Sequence, residues 1–498
     1  MIGLKVKDMG IKTGGPLIIY LNVNDAEMLD LHTSDRVKVF KGKRMETAMV
    51  DIAELAKAVP KGSIGLCEEV LRSISAKEGD AVRVSLAGKP ISIDYIKKKL
   101  DGFRLSRKEI MQIVWDIVHH KLTHIELTYF VAACYSRHMT MRETGYLTKA
   151  MASQGDRLRL KKYPIMDKHC VGGVAGNRTT PIVVPIIAAA GLTIPKTSSR
   201  SITSPAGTAD TMEVLTDVCL PLKKMEKVVL KTNGCMVWGG ALNLAPADDL
   251  IIKVEKPLMI DAKSQLLASV MAKKASVSAT HVLVDIPFGR GSKIHSTQKA
   301  MILKRDFEQI SKEMKMKAKV VLTDGKQPIG NGIGPALEAR DILFLLKNDE
   351  RAPLDLRKKS LNLAGIMLEM GGRAKPGKGL KLATEMLESG DAYRKMVEII
   401  NAQGNRFTDP DKIPVGEFIY DHKAPKSGRV AWISNECISK IARIAGAPED
   451  KGAGMYLHHH VGDVVKKGES LFTIFAHNEA ELGFAVQACA KMDGVLIK

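Results

Sequence analysis

The chain has 498 residues, 45% of them hydrophobic, and at roughly 100–200 residues per domain this length implies about three domains. A formal net charge of +20 calls for anionic partners, yet Lys and Arg are scattered in short runs such as Lys97-Lys98-Lys99 with no long basic arm, which favours small anionic molecules over nucleic acid or a membrane surface. The seven cysteines (67, 134, 170, 219, 235, 437 and 489) contain no C-x-x-C pair, and Lys5, Lys7 and Asp8 interrupt any signal-peptide core, so a cytoplasmic protein with reduced thiols is expected.

Residues 1–95 read as a small β-rich domain. Short apolar runs at 17–21, 36–40, 47–50 and 81–86 are separated by turns, and the second and fourth alternate as half-buried strands do. Residues 96–160 read as a helical domain, which a later helical segment near 221–260 would join. Three capping-box pairs, Ser106 with Glu109, Thr123 with Glu126 and Thr140 with Glu143, each precede apolar residues at helical spacing.

Residues 161–420 read as a central α/β domain. Strands are expected at 163–167, 192–197, 281–286 and 318–323 with helices between them, a pattern that builds a mixed or parallel sheet with its ligand beyond the carboxyl ends of the strands. The run from Pro181 to Pro195 is a buried helix followed by a strand, and 350–420 is basic and turn-rich before a helix at 379–402. Residues 421–498 return to strands and Gly turns as a C-terminal β-rich domain. Its Val461–Glu469 stretch resembles the turn of a lipoyl or biotinyl module but lacks a Met-Lys-Met tip, so no attached cofactor is expected.

The chemistry concentrates in two loops. Asp167-Lys-His-Cys-Val-Gly-Gly-Val-Ala-Gly-Asn-Arg-Thr-Thr-Pro181 places Gly172, Gly173 and Gly176 between a strand and a helix that Thr180 would cap ahead of Pro181. Free backbone N–H groups there, with the positive end of the helix dipole, suit phosphate, and Lys168 with Thr179 or Thr180 can complete the anion site. The second strand delivers Ser198-Ser-Arg-Ser-Ile-Thr-Ser-Pro-Ala-Gly-Thr-Ala-Asp-Thr211, in which Ser204 and Pro205 again read as cap and first helical residue. The alternative reading of both loops is ordinary strand-to-helix turns.

Other features weigh less. Asp261 precedes an apolar helical face and reads as a cap or as an acid. Phe288-Gly-Arg-Gly-Ser-Lys293 is a further Gly-rich loop. Ile329-Gly-Asn-Gly-Ile-Gly-Pro335 lacks the G-x-G-x-x-G spacing, so no dinucleotide is assigned. His458, His459 and His460 would alternate across a strand and cannot converge on one ion, so no metal site is expected.

The two loops together resemble the thymidine/pyrimidine nucleoside phosphorylase family, through Lys168-His169-Cys170-Val171-Gly172-Gly173 and Ser198-Ser199-Arg200 with Gly207-Thr208-Ala209-Asp210. The wording of 199–211 and the additional N-terminal domain are most similar to the archaeal branch of that family that acts on AMP. The resemblance implies a multidomain α/β architecture: an N-terminal β-rich domain, a helical domain and an α/β domain with a cleft between them, and a C-terminal α+β domain. It implies phosphate and a nucleoside monophosphate such as AMP as substrates, no further cofactor, no membrane or nucleic-acid partner, and a homo-oligomer, dimer or larger.

Carried onto this sequence, the resemblance implies Asp261 as proton donor. Substrate contacts would fall at Gly173, Ser199, Arg200, Ser201, Ile202, Thr203, Ser204, Thr208, Ser269 and Lys293. Phosphate contacts would fall at Lys168, Cys170, Thr179 and Ser198, and Cys170 stands where the family usually has Ser. Three other readings stay open: a pyrimidine nucleoside phosphorylase, an anthranilate phosphoribosyltransferase-like enzyme, for which no acidic pair is well placed, and a nucleic-acid-binding protein.

Overall fold

The computed structural model describes every residue except Ile202, Thr203, Met259, Asp261 and Asp493, with no side-chain description at 256 and 258. Contacts divide the chain into two units, residues 1–154 with 246–268, and residues 155–245 with 269–498.

In the first unit, β1 (Ile2–Asp8), β2 (Ile18–Asn22), β3 (Arg36–Lys41), β4 (Arg44–Ala53), β5 (Ser63–Leu66) and β6 (Ala81–Leu86) close into a barrel of order β1-β5-β2-β4-β3-β6. Alternate residues fill it, among them Ile19, Leu21, Val37, Val39, Ile64, Leu66, Val82 and Val84, and two short helices, α1 (Val23–Met28) and α2 (Glu68–Ile74), lie in its connections. Closure leaves no unpaired edge. The helical part comprises α3 (Ser92–Leu100), α4 (Arg107–Val118), α5 (His124–Ser136) and α6 (Met141–Ser153). All three capping boxes form at the starts of α4, α5 and α6, each worth about 1 kcal/mol. The 221–260 stretch divides: α9 (Leu222–Thr232) packs on a strand of the second unit, whereas α10 (Pro246–Leu258) packs on α4, α5 and α6.

The second unit is built on parallel strands. β7 (Met166–Cys170), β8 (Ile194–Ser198), β9 (Gly234–Trp238), β10 (His281–Phe288) and β11 (Lys317–Asp324) follow the order β11-β10-β7 and β8-β9, and an Ile165–Thr193 bridge joins the two runs. The register sets Asp285 beside Cys170 and Trp238 beside Ser198, so the carboxyl ends of these strands lie along one edge. The expected strand at 163–167 starts three residues later, at Met166, and β9 was not anticipated. Helix α7 (Thr180–Ala189) is buried from Thr180 to Ala188, as a helix apolar on every side after its first residue must be, and packs against α14 (Leu354–Met370), α15 (Gly379–Glu388) and α16 (Asp391–Gln403). The remaining helices are α8 (Thr208–Leu215), α11 (Lys263–Ser276), α12 (Thr297–Glu313) and α13 (Pro335–Leu346).

Both expected caps need correction. α7 begins at Thr180 itself, whose hydroxyl accepts from Lys168 Nζ at 3.2 Å instead of closing the helix. α8 begins at Thr208 after Gly207, and Ser204 turns its hydroxyl to Ala206 O at 2.9 Å.

The C-terminal part is α+β. β12 (Gly332–Ile333), β13 (Phe418–Lys423), β15 (Gly454–Leu457) and β17 (Ser470–Ala476) form one antiparallel sheet. β14 (Gly428–Ile433), β16 (Val464–Val465) and β18 (Val495–Ile497) form another, with α17 (Asn435–Ile444) and α18 (Glu479–Lys491) packed together beside them. β12 belongs to the Ile329–Pro335 motif, whose glycines let backbones approach. A methyl at Gly334 would stand 2.4 Å from Ala453 O. The motif therefore seats β15. His458, His459 and His460 lie past the end of β15 rather than on a strand. They bond separately, His458 to Thr473 at 2.8 Å and His460 to Asn331 at 2.9 Å.

Candidate active site

Three loops leave the carboxyl edge of the parallel strands: loop A (171–179) after β7, loop B (199–207) after β8 and loop C (289–296) after β10. Lys168 enters loop A from the buried end of β7 and donates to Thr179 Oγ1 and Thr180 Oγ1. Burial lowers its ammonium below the usual lysine range, opposed by Cys170 and Asp285. An anion arriving nearby would restore the charged form. Burial, together with Asp285, raises the Cys170 thiol. A protonated thiol that accepts from Asn177 Nδ2 at 3.4 Å is a poor nucleophile.

Loops A and C meet at Gly173, which has φ +86° and lies so close to loop C that an added methyl would be 2.3 Å from Lys293 N. Loop A is tied to loop B by Arg178. Its guanidinium donates to Ala206 O in loop B and to Glu338 Oε2 at 2.6 Å, and Thr211 on α8 also donates to that carboxylate at 2.6 Å.

Loop B is held by its acids. Asp210 Oδ2 accepts from Ser201 N at 2.8 Å and from Gly207 N at 2.9 Å. Arg200 spans Asp210 at 3.1 Å and Glu213 at 2.5 Å and lies 4.7 Å over the Trp238 ring. That bidentate pair holds the Glu213 carboxyl down at about 2. The guanidinium of Arg200 is therefore engaged in shaping loop B. Ser198 Oγ, at the end of β8, and Asn177 Oδ1, in loop A, are buried without a hydrogen-bond partner within the described residues, and a ligand at the loops would meet this polarity.

Beneath the loops, Asp167 pairs with Lys274 at 2.9 Å and faces Lys196 at 3.8 Å. Burial, then Lys274, bring Lys196 down to about 7. Desolvation, reinforced by Lys274 and Lys196, holds the His169 imidazole well below its usual value, so it is neutral at physiological pH. Asp167, His169 and Lys196 of this cluster sit on β7 and β8 themselves, one or more residues before the ends from which loops A and B leave.

The structure thus brings Lys168, Cys170, Gly173, Thr179, Ser198, Ser199, Arg200, Ser201, Ser204, Thr208 and Lys293 onto three adjoining loops or their flanks. Ser269 sits half-buried on α11, the helix that sends Lys274 to Asp167. Asp261, Ile202 and Thr203 lie outside the described residues. Among the described residues, no group of His, Cys, Asp and Glu could hold a metal ion, and no helix is long and apolar enough to cross a membrane. Sequence reasoning passed over Arg178 and Glu338. Only the unusual Arg between Asn177 and Thr179, in a loop otherwise of small residues, hinted at them.

Comparison with known proteins agrees with this layout. Residues 162–393 match the glycosyl transferase family α/β domain, 93–155 the helical bundle domain of the same family, and 430–492 the pyrimidine nucleoside phosphorylase C-terminal domain. An AMP phosphorylase of Pyrococcus furiosus is 48% identical over 99% of this chain and 97% of its own. One of Methanocaldococcus jannaschii is 44% identical over 100% and 99%. A Legionella pneumophila protein named "Putative thymidine phosphorylase" is 42% identical over 99% and 95%. Among solved structures, the anthranilate phosphoribosyltransferase of Thermus thermophilus covers 62% of this chain and 99% of its own at a TM-score of 0.53 and 18% identity, a likeness of fold alone. Parallel strands ending in Gly- and hydroxyl-rich loops, a helical bundle and this C-terminal domain, with full-length relatives, establish that the chain belongs to the pyrimidine nucleoside phosphorylase family of glycosyl transferases.

Proposed function

We propose that the protein is an AMP phosphorylase, converting a nucleoside 5′-monophosphate and inorganic phosphate reversibly into free base and ribose 1,5-bisphosphate. The observation that carries this reading is the convergence of loops A, B and C at one edge of the sheet, in a chain similar along its length to AMP phosphorylases. Two anionic groups have to be bound, the attacking phosphate and the 5′-phosphate, and several Gly- and hydroxyl-rich loops suit two anions better than one.

Phosphate would be fixed by Lys168, Thr179, Ser198 and the N–H groups of loop A. The 5′-phosphate would be held by loop B and Lys293, with Thr208 and Ser269 completing the contacts. As the C1′–N bond breaks, the ribose becomes oxocarbenium-like and the base gains negative charge. Phosphate held in place attacks C1′, and Asp261 gives its proton to the departing base. No covalent enzyme intermediate is needed, in keeping with a protonated Cys170. The family resemblance extends to a homo-oligomer.

The test is phosphate-dependent release of base from AMP, CMP, UMP, adenosine, uridine and thymidine, side by side and without added metal. Release confined to the monophosphates supports the proposal. Release confined to nucleosides favours the second reading, a pyrimidine nucleoside phosphorylase, for which the 42% identical Legionella protein speaks. Release from none overturns both.

A further inference from the structure

Loops A and C leave β7 and β10, which pair with each other and, on the far side of β10, with β11, and one side chain from the C-terminal part sits where these three strands end. Asn435, the first residue of α17, is buried. Its Oδ1 accepts from Ala175 N of loop A at 3.1 Å, and its Nδ2 donates to Gly325 O, at the end of β11, at 3.1 Å. Gly291 of loop C faces the same side chain, and a methyl added there would come within 3.6 Å of Nδ2. The neighbouring Arg290 guanidinium sits 4.3 Å over the ring of Trp432, three residues before Asn435. Gly325 N in turn donates to Phe288 O at 3.0 Å, closing the circuit between β10 and β11.

We propose that Asn435 is a positioning residue, setting the distance between loop A and loop C and thereby between the two anion-binding regions of the site. The inference rests on the proposed phosphorolytic reading, because spacing matters only if both loops hold parts of the reacting pair. The chemistry fits the task. The amide is neutral, so it fixes loop A without adding a charge that would compete for its N–H groups. It also offers one acceptor and one donor in a fixed plane, matched to the Ala175 N–H of loop A and to the Gly325 C=O at the end of β11, whose N–H in turn holds the last residue of β10 before loop C. A carboxylate could meet only the first demand, and an aliphatic side chain neither.

The test uses the full-length chain with Asn435→Ala and Asn435→Asp. KM for AMP and for phosphate, kcat, and the calorimetric Kd for inorganic phosphate are read at equal amounts of folded protein, with melting temperature recorded separately. Loss of the bridge should raise both KM values and the phosphate Kd about tenfold or more, since displacements near 1 Å cost up to about a hundredfold. Asn435→Asp, which keeps the acceptor and loses the donor, should fall between Ala and the wild type. It carries the test by itself if Asn435→Ala does not fold. A lowered melting temperature with both KM values and the phosphate Kd within twofold of wild type would show a merely structural role and overturn the proposal. If the wild type binds phosphate but releases no base, the phosphorolytic reading fails while the phosphate Kd still decides the role of Asn435. A wild type that binds no phosphate overturns both.

Discussion

Alanine at Gly173 tests whether loops A and C have to touch, and alanine at Gly172 provides the control. Both glycines have left-handed backbone, φ +86° at Gly173 and +88° at Gly172. An L-residue there costs about 1–2 kcal/mol. They differ in what the new methyl meets. At Gly172 nothing lies within 4 Å, whereas at Gly173 the methyl would stand 2.8 Å from Lys293 Cβ and 2.3 Å from Lys293 N, the latter over 1 Å inside the 3.4 Å at which ordinary contact begins. The obstacle is backbone, so no rotamer change relieves it and loop C has to retreat by about 1 Å.

Overpacking of this kind adds about 1–3 kcal/mol to the conformational cost, so Gly173→Ala should lose about 2–5 kcal/mol where Gly172→Ala loses about 1–2. Differential scanning calorimetry of the two variants reads the difference in melting temperature. Steady-state base release reads the catalytic consequence, where a retreat of about 1 Å predicts a fall of up to about a hundredfold in kcat/KM for AMP at Gly173. Equal melting temperatures and equal kcat/KM in the two variants would refute the reasoning, because the contact with Lys293 is the feature that separates them.

Asp261→Asn should lower kcat far more than it raises KM, because the carboxyl is needed once the base departs. An unchanged kcat would remove Asp261 from the mechanism. Cys170→Ser should lower the KM for phosphate, since a hydroxyl donates more strongly than a thiol; a raised KM would count against Cys170 as a phosphate contact. Lys196→Met should raise the melting temperature by the equivalent of about 1–4 kcal/mol, because a buried cation is exchanged for an apolar side chain while Asp167 keeps Lys274. The sign with pH follows from the lowered value. With Lys196 at about 7 folded and 10.5 ordinarily, the unfolded chain holds the extra proton between these values, so wild-type stability rises with pH there. The advantage of methionine is therefore largest at or below pH 7 and shrinks toward pH 10; a variant advantage that grows with pH would contradict it.

What could be read from the sequence was whatever depends on near neighbours. The caps at Ser106, Thr123 and Thr140 are i, i+3 bonds, and all form. The buried α7 and the glycine loop before it are equally local. The Ser204-Pro205 cap failed because Asp210 draws Gly207 N and Ser201 N to itself, which delays the start of α8 to Thr208. Helix α14 was missed because the start of 350–420 read as basic and turn-rich, yet Lys359 points inward to Asp285 at 3.3 Å. Strands β1 and β5 pair with each other across more than fifty residues, and no local pattern announces a partner so remote. The same holds for the site. Arg178 reaches Glu338 and Asn435 reaches Ala175 over separations of 160 and 260 residues. Such pairs exist only once the sheet has brought its loop exits together.

The carboxylates around the loops argue for an anion as the ligand. Asp167 is paired with Lys274, Asp285 with Lys359, Glu338 with Arg178, and Asp210 and Glu213 share Arg200 and Lys451. Each negative charge is thus offset beside it, and the pairs serve to shape backbone: Asp210 arranges loop B, and Glu338 with Arg178 fastens loop A to loop B. Loop A itself is secured by neutral or positive groups, the Asn435 amide, the threonine hydroxyls and Lys168. A free carboxylate at loop A would occupy its N–H groups and repel a phosphate at a cost of about 4 kcal/mol at 4 Å in a partly screened site. Pairing these acids with cations keeps the loop A N–H groups for an incoming dianion.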